Sequence, residues 1–289
     1  MSVLATLRVP TEADLPEIVR LMNVHWPDPV GEDTVRRAWS SPKTDVSLDA
    51  RLEEGRACAL VEELGDDRIS IDLRGDPSPA LLEWAEVRAR ELGGRLFAGA
   101  WATHESLRRA LEERGFAVVR HGYRMEIDLA DAPPPAVWPD GIEVRTFRPG
   151  DEHVFHTVQD EAFADVWEPV RSSFEEWEHW FLGSSPRFAP DLWFLALDGD
   201  EPAGVAICHP HTGDPTLGWV GELGVLRPWR RRGLGRALLL EAFRAFRERG
   251  FTRAGLGVDA ESLTGAHRLY ESAGMRVSAR YDILEKVVA

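Results

Sequence analysis

The stretch GELGVLRPWRRRGLGRALL, residues 221–239, runs from the end of a strand through a basic turn into a helix. Its glycines let a ligand approach the backbone without meeting a Cβ atom. The first turn of the helix offers unpaired N–H groups and the positive end of the helix dipole. Arginines at positions 230, 231, 232 and 236 add charge and forked donors that suit phosphate oxygens. This succession predicts a strand-to-helix turn that binds a pyrophosphate.

Two other phosphate-binding turns do not fit this stretch. A Walker loop would continue with Gly-Lys-Ser/Thr, and the dinucleotide fingerprint would have a third glycine. The alternative is a solvated basic turn on an acidic protein, and the stretch alone leaves that alternative open.

The remainder of the second half alternates strands and helices around this turn. Its apolar periodicity predicts, in order, a strand, two helices, three strands, a helix, a strand, a helix and a last strand. That order is typical of an α/β fold with a mixed sheet.

A proline-rich segment, DAPPPAVWPDG at residues 131–141, divides the chain. Proline fixes φ and lacks a backbone donor, so this segment can join neither a helix nor a central strand. We therefore expect a first domain at 1–130, a linker at 131–141 and a second domain at 142–289. In each half an arginine precedes an aspartate by six residues (Arg8 and Asp14, Arg145 and Asp151), which favours a tandem duplication over chance similarity.

Composition excludes several classes of protein. The 289 residues have a formal net charge of −15, and an acidic chain repels a phosphate backbone, so nucleic-acid binding is not expected. The sequence has no run of about 18 apolar residues and no basic, apolar leader, so we expect no membrane association. The two cysteines are too few for a disulfide framework, which favours a cytoplasmic protein. The oligomeric state is left open.

Arg230-x-x-Gly233-x-Gly235, placed after a strand and before an amphipathic helix, resembles the acetyl-CoA motif of the GNAT N-acetyltransferase superfamily. The resemblance extends to AHRLYESAGM at residues 266–275, which is similar to the family's Ala-x-x-Leu-Tyr followed by Gly-Phe, with Met275 in place of Phe. The tandem layout is similar to that of mycothiol synthase-like members. One departure is Leu263, where many members have asparagine, and this puts one polar contact to the cofactor in doubt.

The resemblance implies acetyl-CoA as co-substrate, with the backbone at 223–225 pairing with the pantetheine arm and the amides from Arg231 to Arg236 holding the pyrophosphate. Arg230 and Arg232 would be its side-chain partners. The cofactor-binding residues expected on this basis are Leu223, Gly224, Val225, Arg230, Arg231, Arg232, Gly233, Leu234, Gly235, Arg236, Leu263 and Ala266.

Acetyl transfer to an amine makes two demands on protons. An amine with a pKa near ~10.4 is mostly protonated at pH 7 and must lose a proton before it can attack. The departing thiolate, whose thiol has a pKa near ~8.5, must gain one. Tyr270 matches the family's acid tyrosine by position; the alternative is an interface tyrosine. Glu222 matches an acidic residue that many members use as base or substrate anchor; the alternative is an exposed strand carboxylate.

For the acceptor, the charge and aromatic faces of Asp165, Trp167 and Glu168 can recognise a cation, although a helix end with one buried tryptophan explains them as well. We expect a small-molecule amine. His209 and His211 flank Pro210, but one nearby cysteine does not complete a ligand set, so we expect no metal.

The first half lacks the same turn, so we expect it to be a degenerate GNAT-like domain. Asp72 and Asp76 would repel a phosphate, and Pro77 and Pro79 remove two donors. Leu111 occupies the position equivalent to Tyr270. We expect this half to bind no acetyl-CoA and to support the other. The function predicted for the chain is an N-acetyltransferase with one competent site, and the alternative is a non-catalytic acyl-CoA-binding sensor or interaction protein.

Overall fold

The computed structural model describes residues 7–27, 29–65, 67–131, 133–169, 171–183, 185–262 and 264–286. They divide into two units by their internal contacts. The first unit contains residues 7–122 and 279–286, and the second contains residues 123–278. Each unit is described separately below.

The first unit is a sheet with strand order β1-β2-β3-β4-β5-β12 and helices packed on it. Its elements in chain order are β1 (Leu7–Arg8), α1 (Leu15–His25), α2 (Glu32–Trp39), α3 (Val46–Asp49), β2 (Ala50–Glu53), β3 (Ala57–Gly65), β4 (Arg68–Gly75), α4 (Pro79–Leu92), β5 (Arg95–Trp101), α5 (Glu105–Glu113), the start of β6 (Ala117–Asp128) and most of β12 (Arg276–Lys286). β4 and β5 run parallel, whereas β3 and β4 run antiparallel.

The second unit has the strand order β6-β11-β10-β9-β8-β7. Its remaining elements are β7 (Ile142–Thr146), α6 (Glu152–Ala162), α7 (Phe174–Phe181), β8 (Trp193–Asp198), β9 (Glu201–Pro210), β10 (Leu217–Val225), α8 (Leu234–Glu248), β11 (Arg253–Asp259) and α9 (Ala266–Ser272). β10 and β11 run parallel and β9 and β10 antiparallel, so the mixed sheet predicted for this half is confirmed.

The order strand, helices, three strands, helix, strand, helix, strand occurs once in residues 7–128 and again in 142–286. Each copy begins with the same ion pair. Arg8 donates to Asp14 with both Nη atoms, at 2.7 and 2.6 Å, and Arg145 does so to Asp151, at 2.6 and 2.8 Å. The spacing of six residues noted in the sequence therefore marks equivalent contacts.

The units differ from the domain boundaries expected from the sequence. Residues 123–128 of β6 group with the second unit, and residues 279–286 of β12 group with the first. In the first unit, Tyr281–Lys286 of β12 pair with Leu96–Trp101 of β5. A proline-rich segment marks where helix and central strand are interrupted, but it cannot show which sheet a following strand joins.

Apolar side chains on both faces of each sheet form the cores. In the second unit α8 buries one face against β9 and β10, with Leu238, Phe243 and Phe246 fully buried. The opposite face of the sheet packs on α6 and α7, and Phe155, Trp177 and Trp193 form the centre of that contact. Among the described residues, every helix is too short or too polar to cross a lipid bilayer.

Candidate active site

Two parallel strands separate in the middle of the second unit. Residues Leu217–Val220 of β10 pair with Arg253–Leu256 of β11, and the pairing of the two strands then stops. β9 remains paired with β10 as far as Val225, with a bulge between Val220 and Glu222. The backbone of residues 222–225 therefore has one paired edge and one edge open to the gap. An open strand edge can accept an extended ligand as an added strand.

Gly224 lies in this open segment and touches the end of α6. A Cβ atom at position 224 would lie 2.9 Å from the Cβ atom of Ala162, closer than side chains normally approach. Glycine is needed here because helix and strand are in direct contact. Leu223 and Val225 are partly buried against the core on the α8 side.

The turn between β10 and α8 exposes backbone amides. Arg231 has a φ of 64° and Gly233, the N-cap of α8, a φ of 89°, both in the left-handed region. No side chain caps α8, and within the described ranges the amides of residues 233–236 donate to no carbonyl group. Left-handed residues beside a free helix N-terminus form a concave group of N–H donors, which is an anion-binding geometry.

Two of the neighbouring arginines remain near the surface. Arg231 and Arg232 are exposed, and Arg232 makes only long contacts, 3.6 Å to Asp198 Oδ2 and 3.5 Å to the carbonyl of Asp140. Both guanidinium groups can turn toward an anion at the turn, because these weak contacts cost little to break.

Arg230 is held inside the protein instead. Its Nε donates to the Val225 carbonyl at 2.9 Å, Nη1 to Asp165 at 2.8 Å and Nη2 to the Ala162 carbonyl at 3.0 Å. The guanidinium thus connects the end of α6 to the turn. The sequence predicts Arg230 as a side-chain partner of the pyrophosphate, and in the structure its guanidinium is bonded to these three groups.

Asp165 is the partner that holds this connection. Its carboxylate accepts from Arg227 Nε at 2.9 Å as well as from Arg230. Hydrogen bonds from Arg227 and then from Arg230 hold the pKa of Asp165 well below its usual range. A carboxylate already paired with two guanidinium groups is a poor anchor for a cationic acceptor. Trp167 and Glu168, the other two candidates for acceptor binding, are half-buried in the same segment, and Glu168 has a φ of 49°.

Glu222 lies in the open segment of β10, and Tyr270 lies on α9. Burial raises the pKa of Glu222 to about 7, while the positive charge of Arg187 opposes the rise. Burial also raises the pKa of Tyr270 to about 12, and the charge of Glu222 adds to that shift. Tyr270 lies on α9, whose first residue is Ala266, and is 7% exposed. The charge of Glu222 therefore influences the hydroxyl of Tyr270, and both side chains have a pKa raised by burial.

Several other side chains at the site have clear positions. Arg187 was not found from the sequence, because it lies in an irregular segment before β8 with no motif around it. His209 is buried, which lowers its pKa to about 4, and its Nδ1 lies 2.8 Å from the Pro210 carbonyl. Cys208 is fully buried and burial raises its pKa, so its thiol is a structural group. Leu263 lies outside the described residues.

The equivalent turn in the first unit is built differently. Ser78 caps α4 through a hydrogen bond from the Leu81 amide at 3.2 Å, and Pro79 is the first residue of that helix. Asp76 occupies the turn between β4 and α4. Leu111, at the position equivalent to Tyr270, is buried in the apolar core.

Comparison with known proteins places these features in context. A model of the acetyltransferase (GNAT) family matches residues 154–275. The mycothiol acetyltransferase of Thermobispora bispora is 34% identical over 215 residues, covering 68% of this chain and 72% of that protein. The mycothiol acetyltransferase of Geodermatophilus obscurus is 31% identical over 296 residues, covering 94% of this chain and 89% of that protein.

Solved structures give the same relationship. A GCN5-related N-acetyltransferase from Sphaerobacter thermophilus has a TM-score of 0.78 and 33% identity, over 97% of this chain and 95% of that chain. A tandem GNAT protein from the clavulanic acid biosynthesis pathway has a TM-score of 0.71 at 15% identity, over 97% of this chain and 98% of that chain, and shares the fold. These likenesses confirm the resemblance drawn from residues 230–275.

Proposed function

The chain belongs to the GNAT acetyltransferase family, and on that premise we propose that it moves an acetyl group from acetyl-CoA to the primary amine of a small molecule, by direct transfer in a ternary complex. The observation that carries the proposal is the open edge of β10 at residues 222–225. The turn that follows this edge leads to the uncapped N-terminus of α8. An extended arm and a diphosphate, joined as in coenzyme A, fit this pair of features.

The residues that hold acetyl-CoA act mainly through their backbone. The edge of Leu223–Val225 pairs with the pantetheine arm, and the amides of residues 231–236 donate to the diphosphate. The side chains of Arg231 and Arg232 complete the anion site. Arg230 contributes by fixing the turn through its contacts with Asp165 and two carbonyl groups.

Two side chains manage the protons of the reaction. Glu222, with a pKa near 7, takes a proton from the ammonium form of the acceptor, directly or through water. The free amine then attacks the thioester carbonyl, so a C–N bond forms and the C–S bond breaks. Tyr270 stays protonated throughout the physiological range, and its hydroxyl donates to the departing sulfur. The hydroxyl regains a proton from the nitrogen, which loses one as it becomes an amide.

The acceptor is proposed to be a small molecule because the curated relatives are named for acetylation of one, mycothiol. Asp165 is withdrawn as a direct acceptor contact, since Arg227 and Arg230 already pair with it. Trp167 and Glu168, which follow it, remain the candidates for acceptor recognition.

We also propose that acetyl-CoA binds only to the second unit. The first unit has Asp76 in the equivalent turn, a serine-capped helix beginning with a proline, and Leu111 instead of a tyrosine. These groups repel or fail to hold a diphosphate, and they supply no acid.

The test combines binding with turnover. Calorimetry with acetyl-CoA should give one site per chain, and release of free thiol should accelerate with one member of an amine panel that includes the unacetylated form of mycothiol. Binding without turnover of any amine would favour the acyl-CoA sensor instead. Two sites per chain would overturn the assignment of the first unit, and no binding at millimolar acetyl-CoA would overturn the whole proposal.

A further inference from the structure

Three potential metal-ligating side chains meet in the first unit, at the turn equivalent to the anion site of the second. His25 is the last residue of α1, Asp76 lies between β4 and α4, and His104 is the N-cap of α5. One ligand atom from each lies within 4.8 Å of the others. They come from three distant segments of the chain, so no spacing in the sequence predicts that they meet.

The distances among these atoms match the geometry of a bound ion. His25 Nε2 lies 3.5 Å from Asp76 Oδ2, and His104 Nε2 lies 3.2 Å from Asp76 Oδ1. In a tetrahedral site with bonds of about 2.0 to 2.1 Å, neighbouring donor atoms lie about 3.4 Å apart. Each imidazole nitrogen is thus about that far from one carboxylate oxygen of Asp76, and all three ligand atoms lie within 4.8 Å of one another.

One of the three donors has no partner that satisfies it. The Nε2 atom of His25 is buried and forms no hydrogen bond of good geometry. An unsatisfied buried nitrogen costs free energy, so native proteins usually supply it with a partner. Asp76 by contrast is oriented by Ser106, whose hydroxyl donates to Oδ1 at 2.9 Å, as outer partners orient metal-bound carboxylates.

We propose that His25, Asp76 and His104 bind one divalent first-row transition metal ion, with Zn²⁺ the most suitable. Two imidazoles and one carboxylate are a donor set that suits Zn²⁺. Three protein ligands leave a fourth position for water or a ligand atom. His25 and His104 both line a cleft that Trp26 and Trp101 also line. At the turn where the second unit offers N–H donors to an anion, the first unit then holds a cation.

Binding requires one defined movement. The rings of His25 and His104 are stacked, with centroids 3.7 Å apart and planes at 14°. Lone pairs in nearly parallel planes cannot converge on one ion, so a ring must turn. The His25 side chain can do this, because it is at the end of its helix and 30% exposed, whereas His104 is enclosed. The proton signals of the two rings should therefore shift on metal binding as the stack opens.

The experiment titrates the full chain, freed of metals with a chelator, with ZnCl₂ by calorimetry and with Co²⁺ by visible absorption. His25→Gln and Asp76→Asn remove one donor each at partly exposed positions, so both variants should fold. His121→Gln is the matched control, since His121 also faces an aspartate, Asp282, at 2.9 Å, and no third potential ligand joins them among the described residues.

One Zn²⁺ should bind per chain with a micromolar or lower Kd. Each of the two variants should weaken binding at least about tenfold and abolish the visible absorption of four-coordinate Co²⁺, while the control should bind as the unmodified chain does. No binding at 100 μM Zn²⁺ overturns the proposal, as does binding that His25→Gln and Asp76→Asn leave unchanged. The readout is metal binding, so it is independent of acetyl transfer.

Discussion

The guanidinium of Arg230 donates to the carboxylate of Asp165 across 65 positions of the chain, at 2.8 Å. The same guanidinium binds the Ala162 carbonyl at the end of α6 and the Val225 carbonyl at the end of β10. Neither residue is therefore free for a ligand, and both set the shape of the turn that precedes α8.

Asp165→Asn tests this indirect role. The variant removes the charge that holds Arg230 and Arg227, so the turn should lose its fixed shape, and the Kd for acetyl-CoA should rise about three- to tenfold. The apparent KM for the amine should change little. Calorimetry with acetyl-CoA and steady-state kinetics with the amine check this; a rise in amine KM alone would restore Asp165 as an acceptor contact.

The paired substitution of Arg231 and Arg232 by alanine tests the direct contacts. Removing two exposed guanidinium groups beside the diphosphate should weaken acetyl-CoA binding about 10- to 100-fold and reduce the dependence of the Kd on salt. Arg244→Ala on the exposed side of α8 is the control, since Arg244 pairs with Glu241 and Glu248. Equal effects of the two variants would mean that general charge, rather than the turn, attracts the ligand.

Glu222→Gln should change the pH dependence of catalysis. The unmodified protein should gain kcat/KM as pH rises through about 7, because Glu222 must be ionised to accept a proton. The variant should lose about 10²- to 10⁴-fold in rate and should lack that acidic limb. Glu248→Gln at the end of α8 serves as control. An acidic limb that persists in Glu222→Gln would assign the base to another group.

The same variant should also change the free energy of unfolding, by an amount that depends on pH. The carboxyl group of Glu222 has a folded-state pKa of about 7 against an ordinary value of 4.5, so between these values the folded state binds more protons than the unfolded state. The free energy of unfolding must then fall as pH rises from 4.5 to 7. Glu222→Gln removes this loss and should be about 1 to 3 kcal/mol more stable than the unmodified chain at pH 8. Urea unfolding at pH 5 and pH 8 measures the difference, which should be smaller at pH 5.

Tyr270→Phe should slow the chemical step without weakening acetyl-CoA binding. The ring stays in its buried site, but the sulfur loses its proton donor, so kcat should fall about 10²-fold while the Kd stays constant. Tyr281→Phe is a matched control, because Tyr281 is half-buried in the first unit and burial likewise raises its pKa to about 12. If both variants slow transfer equally, the effect comes from lost stability rather than from proton donation.

The local part of this site could be predicted from the sequence. The strand, the turn and α8 follow from glycine positions and apolar spacing within residues 221–239, and Gly233 indeed begins the helix in a left-handed conformation. Glu222 and Tyr270 are predicted because each matches a position in the family's motifs, and their roles stay predictions.

The long-range part could not be predicted. The open edge of β10 depends on where β11 stops pairing, at Leu256, and no residue near Leu223 encodes that end. The contact of Arg230 with Asp165 likewise joins two segments whose spacing has no regular pattern. In the first unit, His25, Asp76 and His104 meet only because three separate elements end at one place.

The grouping of residues 279–286 with β5 has a practical consequence for dissecting the protein. A gene cut in the proline-rich linker would produce an amino-terminal fragment without the strand that pairs with Leu96–Trp101, and a carboxyl-terminal fragment whose final strand has lost that neighbour. Exposed strand edges of this kind promote aggregation. The second unit is therefore best studied within the intact chain, or in a circularly permuted chain that keeps residues 279–286 paired with β5.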